Sequence, residues 1–227
     1  MDPKTVNKGS KYELPTPTFK SEEGKEFAGW KVGDGTELKK AGEAIDISGD
    51  VKLTAVWKDI EYKVSFNANG GSETMKSQIV KKGKEYTLPA NGFIAPEGKE
   101  FDGWMIGTEK KAANDKITIN ADTEVKAIWK DIEYKVSFNG NSGTGKMAEQ
   151  LVKKGKEYTL PANGFTAPEG KKFDGWMIGT EKKAVGAKIK VNADAEVKAV
   201  WKDIEYKVSF NGNSGTGKMA EQLVKKG

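Results

Sequence analysis

The pattern Phe-x-Gly-Trp occurs three times, as Phe27-Ala28-Gly29-Trp30, Phe101-Asp102-Gly103-Trp104 and Phe173-Asp174-Gly175-Trp176. Each copy is followed by a strand-like run ending in a second tryptophan, Trp57, Trp129 or Trp201, and these stand 72 residues apart, as do Tyr62, Tyr134 and Tyr206. Such a period is longer than that of a solenoid repeat and close to the lower limit for a self-sufficient domain, which buries only about 60% of its unfolded surface. The chain is therefore expected to be a string of small domains. Residues 1–61 are read as a first repeat lacking its opening strand, 62–133 as a second, 134–205 as a third, and 206–227 as the truncated start of a fourth. A shifted phase, Val6 to Ile79, Val80 to Leu151 and Val152 to Leu223, stays open. The first copy has 27 residues between its tryptophans against 25 in the others, so the extra residues are expected in a loop within Gly33 to Gly49.

Composition limits the chemistry. The sequence has no Cys, His or Arg, so its 38 basic side chains are all Lys. That removes thiol nucleophiles, imidazole bases, disulfides and ordinary zinc sites. With no nucleophile and base in a recognisable arrangement, the chain is read as non-enzymatic, with no cofactor and no metal. Its formal charge of +5 would suit a polyanion, but 33 acidic residues are interspersed with the lysines, as in Lys130-Asp131-Ile132-Glu133. Arginine, the commonest reader of bases, is missing, so nucleic acid is not an expected partner. No run approaches the roughly 18 apolar residues of a membrane helix, and Met1-Asp2-Pro3 has no apolar core behind it like that of a signal peptide. Membrane insertion is not expected, and any anchor is expected outside this excerpt.

Residues 62–133 illustrate one repeat. Tyr62, Val64 and Phe66 alternate with Lys63, Ser65 and Asn67, the period of a strand with one buried face. A Gly/Asn turn follows at Asn69-Gly70-Gly71. Met75 to Val80 is the one place for a helical turn, weakened by the β-branched Ile79 and Val80 and ended by Gly83. Tyr86-Thr87-Leu88 reads as a short strand stopped by Pro89, and Asn91-Gly92 and Pro96-Glu97-Gly98 as turns. Phe101 to Ile106, Lys116 to Asn120 and Val125 to Trp129 complete a β-rich set with at most one short helix. Apolar positions are odd-numbered along Val125 to Trp129 and even-numbered from Ile132 through Phe138. Because a one-residue slip turns a strand over, the chain must bulge or change sheets near Lys130-Asp131. The join from Lys130 to Glu133 spans on the order of 10–14 Å, so neighbours are expected to be close and the array rod-like.

In this order the motifs resemble the Listeria/Bacteroides repeat, the B-repeat of internalin B and other bacterial surface proteins. The residues that carry the resemblance are the alternating strand Tyr62 to Gly71, the step Leu88-Pro89, the strand Phe101 to Trp104 and the closing Ala127 to Trp129. The resemblance implies an α+β, β-rich fold of tandem β-grasp-like modules forming an elongated rod. It also implies an extracellular location on the bacterial cell surface and a role as stalk and adhesion module. Cysteine-free domains of this kind are common in wall-attached proteins of Gram-positive bacteria. Host or neighbouring-cell surface molecules are the partners it suggests.

Four motifs have competing readings. Gly140-Asn141-Ser142-Gly143-Thr144-Gly145-Lys146 has phosphate-loop spacing, but Met147 stands where Mg²⁺ needs a hydroxyl, so a flexible hairpin loop is expected. Leu88-Pro89-Ala90-Asn91-Gly92 resembles a sortase signal without the hydrophobic span that must follow it, and reads as a turn. Lys with Asn, Asp or Glu could form an isopeptide crosslink, a pairing that 38 lysines make common by chance. The Gly-Trp pairs could form a sugar platform, so the alternative function is a carbohydrate- or wall-polymer-binding module using exposed Trp and Lys. The favoured reading makes Trp30, Trp57, Trp104, Trp129, Trp176, Trp201, Phe101 and Phe173 structural anchors. The surplus strand at Tyr206, Val208 and Phe210 has no repeat left to cover it, so head-to-tail self-association by strand exchange is a further expectation.

Overall fold

The structure is a computed structural model that describes residues 3–226. It divides into two compact units, Met1–Pro96 with Phe101–Trp129, and Glu97–Glu100 with Lys130–Gly227.

The first repeat contributes β1 (Lys11–Glu13), β2 (Lys25–Val32), β3 (Leu38–Lys39), β4 (Ala44–Asp46) and β5 (Leu53–Asp59). They form a three-stranded sheet, β3-β2-β5, and a two-stranded sheet, β1-β4. The second repeat comprises β6 (Glu61–Asn67), β7 (Gln78–Lys81), β8 (Glu85–Thr87), β9 (Lys99–Ile106), β10 (Glu109–Lys111), β11 (Lys116–Thr118) and β12 (Thr123–Asp131). Here the large sheet has five strands in the order β10-β9-β12-β6-β7, and β8 pairs with β11. The third repeats the pattern with β13 (Glu133–Asn139), β14 (Gln150–Lys153), β15 (Glu157–Thr159), β16 (Lys171–Ile178), β17 (Glu181–Lys183), β18 (Lys188–Lys190) and β19 (Ala195–Asp203). A hairpin of β20 (Glu205–Val208) and β21 (Gln222–Lys225) follows.

The alternation along Tyr62-Lys-Val-Ser-Phe produces β6, and Val64 is fully buried. β6 runs parallel to β12, with Val64 opposite Thr123 and Phe66 opposite Val125, and β13 is likewise parallel to β19. A parallel pair between a repeat's first and last strands brings its two ends together across the core. Two core clusters result, one of Val64, Leu88, Phe93, Trp104, Ile119, Val125 and Ala127, the other of Val136, Leu160, Phe165, Trp176, Val191, Val197 and Ala199.

A β-bulge explains Phe-x-Gly-Trp. Residues three apart on a regular strand face opposite sides. Against β19, Phe173 pairs with Trp201 and Gly175 with Val200, leaving Asp174 as the extra residue. The shift puts Phe173 and Trp176 on one face, ring centroids 4.8 Å apart and nearly edge-on. Gly175 follows the bulge at φ +134°, and a Cβ there would lie 2.8 Å from the Lys183 carbonyl oxygen, so only glycine fits.

Two expectations are corrected. Among the described residues there is no helix, so neither the α+β class nor the β-grasp-like detail matches the structure, which is β-rich. The stretch expected to hold a helical turn instead contains β7, whose Ile79 and Val80 pair with Lys63 and Tyr62. β-Branched side chains lose χ1 freedom in a helix, and the edge of β6 satisfies their backbone groups as a strand. The extra residues of the first repeat lie in the turn after β2: Lys31 pairs with Leu38, where the second repeat closes tightly with Ile106 opposite Glu109.

Replacing Trp176 with Ala is expected to destabilise the third repeat by about 3–5 kcal/mol, the usual range for a buried tryptophan. Thermal melting should show part of the cooperative transition moving to lower temperature; a melt that superimposes on the parent's would contradict this packing account.

Candidate functional site

The six tryptophans fall into two sets. Trp30, Trp104 and Trp176 are at most 2% exposed. Their indole N–H groups donate to the carbonyls of Pro15, Pro89 and Pro161 at 2.7, 2.9 and 2.9 Å. Phe66, Phe93 and Phe101 surround Trp104 at centroid distances of 5.8, 6.1 and 4.8 Å. Trp129 and Trp201 are half-buried against Phe101 and Phe173, and cap the turn after the opening strand. Trp129 donates to Ala68 and Asn69 carbonyls at 2.9 and 3.2 Å, and Trp201 to Gly140 and Asn141 carbonyls, both at 2.9 Å. Trp57 packs on Phe27, but its indole N–H has no acceptor among the described residues. Rings committed to packing in this way do not form an aligned exposed platform.

The glycine-rich loop is pinned, in contrast to the flexible loop expected. Asn141 Nδ2 donates to the Ala199 carbonyl at 2.9 Å, and the Gly143 and Thr144 N–H groups donate to Gly140 and Thr166 carbonyls, both at 2.9 Å. Those amides are thus unavailable to a phosphate. A Cβ at Gly143 would stand 2.5 Å from the Trp201 ring, so packing explains the glycine. Leu88-Pro89-Ala90-Asn91-Gly92 is also structural: Leu88 is fully buried, and the Asn91 amide both accepts from the Phe93 N–H and donates to its carbonyl at 3.0 Å. No Lys, Asp, Glu or Asn among the described residues is buried, and the close Lys–carboxylate contacts are surface ion pairs.

One recurring cluster escaped the sequence reading, although its signal, Trp-Lys-Asp-Ile-Glu-Tyr written at 57, 129 and 201, was in view. Within the first unit, Ile60 N–H donates to the Gly24 carbonyl, and the Ile60 carbonyl accepts from Lys82 N–H, both at 2.8 Å. Within the second, Ile132 bonds Gly98 and Lys154 at 2.9 and 2.7 Å, and Ile204 bonds Gly170 and Lys226 at 2.8 and 2.9 Å. The preceding aspartate adds an ionic clasp. Asp131 bridges Lys99 at 2.8 Å and Lys153 at 2.5 Å, Asp203 bridges Lys171 at 2.9 Å and Lys225 at 2.6 Å, and Asp59 pairs with Lys81. Hydrogen bonds from Lys153 and then Lys99 hold the Asp131 carboxyl at about 2, and those from Lys225 and Lys171 do the same for Asp203.

Among the described residues no group of three or more acidic side chains could hold a metal, and no helix is long and apolar enough to cross a membrane. Tyr206, Val208 and Phe210 are exposed, and among the described residues β20 pairs with β21.

The profile of the Listeria-Bacteroides repeat domain matches residues 1–56, 62–128 and 134–200, and the chain belongs to this family of tandem repeats. It is also similar to two Evansella cellulosilytica proteins, at 30% and 29% identity over 93% of its length. One is provisionally named a membrane protein, the other a Gly-rich membrane protein. The chain spans 32% and 25% of their lengths. No solved structure matches it significantly.

The carboxyls of Asp131 and Asp203 should titrate near 2 by NMR, below the ordinary aspartate value of about 3.9. Depressed carboxyls stabilise the fold fully above the unfolded value and lose that contribution as pH falls through the folded one, so the clasps should weaken between about 4 and 2. Lys153→Ala should raise the Asp131 midpoint; an unshifted midpoint near 4 in the parent would contradict the clasp.

Proposed function

We propose that the chain is a spacer segment of a Gram-positive bacterial surface protein, arranged as a rod-like array that holds a functional part away from the cell wall. Its outer faces are proposed to make adhesive contacts with host or neighbouring-cell molecules, without catalysis. The observation that carries this reading is the use of the aromatic side chains: the Phe-x-Gly-Trp rings fill the repeat cores and the second tryptophan of the complete repeats caps a turn. Family membership adds support, since the repeat resembles those of surface proteins. The short main-chain-bonded joins at Ile60, Ile132 and Ile204 suit a tether that must not lengthen easily.

Pulling the chain by its ends tests the spacer role. Separate unfolding events are expected, each releasing about 25 nm for a repeat of roughly 70 residues at about 3.5 Å per residue. Smooth extension without such events would contradict it. Micromolar binding of a soluble wall glycan, lost on Trp129→Ala, would instead move the function to the sugar-binding alternative.

A further inference from the structure

The parallel pairing of β6 with β12, and of β13 with β19, carries a second set of bonds made by side chains along the length of the ladder. In the third repeat the Asp194 carboxylate accepts the Lys135 N–H at 2.8 Å, Ser137 Oγ donates to the Ala195 carbonyl at 3.4 Å, and Asn139 Nδ2 donates to Glu196 Oε1 at 2.7 Å. Asn141 Nδ2 then donates to the Ala199 carbonyl, and the Trp201 indole N–H to the Gly140 carbonyl, both at 2.9 Å. The second repeat has the same five rungs, made by Asp122, Ser65, Asn67, Asn69 and Trp129. The asparagine rung persists although its turn reads Ala68-Asn69-Gly70 in one repeat and Gly140-Asn141-Ser142 in the other. Alongside the rungs run the paired residues of the strands, from Val136 opposite Ala195 to Asn139 opposite Lys198. Val136 and Val197 are fully buried, so the core keeps water from one side of the ladder.

The direction of the strands gives these bonds a role. The chain enters the third repeat ahead of β13 and leaves it after β19, so tension draws β13 toward its first residue and β19 toward its last. In a parallel pair those pulls oppose each other along one axis. The two strands can then separate only by sliding, which strains every rung at once. A ladder pulled apart from one end opens rung by rung instead. Each bond contributes modestly on its own, because its groups exchange partners with water, so the set matters through simultaneous loading.

We propose that this doubly bonded ladder is a shear clamp, the element that resists stretching of a repeat when force runs along the chain. The inference rests on the spacer reading for the presence of a load, and what it adds is directional: each clamped repeat is strong along its strands and weak across them. Forced unfolding is governed by the unfolding rate, so the rungs act on the barrier to sliding rather than chiefly on equilibrium stability.

Single-molecule pulling of the full chain tests this, and the absence of cysteine lets introduced thiols serve as unique handles. Glu133→Cys with Lys202→Cys pulls along the strands of the third repeat, whereas Glu133→Cys with Ala193→Cys pulls the starts of β13 and β19 apart; all three side chains are exposed. The expected result is an unfolding force severalfold higher along the strands than across them. With the first pair of handles, Asn139→Ala with Asp194→Ala should lower that force. Glu157→Ala with Lys188→Ala, which removes a surface ion pair between β15 and β18, should leave it unchanged. Equal forces in the two directions overturn the clamp, while discrete events on end-to-end pulling would still support the spacer reading. A force along the strands that is insensitive to the Asn139 and Asp194 substitutions, or that falls equally with the Glu157 and Lys188 pair, overturns it too. The comparison of directions keeps every rung in place, so it decides the matter even where a double variant folds poorly.

Discussion

The bond from the Phe-x-Gly-Trp indole to the proline carbonyl fifteen residues earlier is the constraint on which the rest of each repeat depends. In the second repeat it joins β9, in the large sheet, to the chain leaving β8, in the small one. A buried indole without an acceptor would carry a penalty of roughly 1–3 kcal/mol, so ring and carbonyl must be placed together. The bulge, the glycine that only lacks a clash because it has no Cβ, and the proline that stops the short strand all serve that placement. Phenylalanine edges then close around the ring, and the same geometry recurs around Trp30 and Trp176.

Much of this was legible in the sequence. Alternation along Tyr62 to Phe66 marked an opening strand with a buried face, and the parity change near Lys130-Asp131 marked the passage from β12 in one sheet to β13 in the next. Regular spacing singled out the tryptophans, of which Trp30, Trp104 and Trp176 are buried and Trp57, Trp129 and Trp201 only partly so. Local pattern could not reveal the parallel pairing of a repeat's first and last strands, because its partners, such as Val64 and Thr123, lie 59 residues apart. The bulge was hidden for a related reason: Phe101 and Trp104 have the wrong parity to share a face until one residue is left out of the ladder. Met75 to Val80 misled because a short apolar stretch fits either helix or strand, and pairing with β6 decides it. The joins were read as linkers, since ion pairs across turns leave no periodic trace.

These features bear on the proposed role. Surface ion pairs contribute little stability singly, so Asp131 and Asp203 matter less as sources of energy than as devices that fix the path of the chain around Ile132 and Ile204. The main-chain bonds beside them supply the larger constraint. The first repeat shows the same arrangement in its sheet β3-β2-β5 and its pair β1-β4. The chain covers a third or less of the length of its Evansella relatives.

Hydrogen exchange of the six indole N–H groups in a ¹⁵N-labelled chain tests the central claim most directly. If each buried ring ties two sheets together, Trp30, Trp104 and Trp176 should exchange slowest, Trp129 and Trp201 at intermediate rates, and Trp57, whose indole has no acceptor among the described residues, fastest. Exchange of Trp104 and Trp176 as rapid as that of Trp57 would show that these bonds open without unfolding the repeat, and would contradict the account.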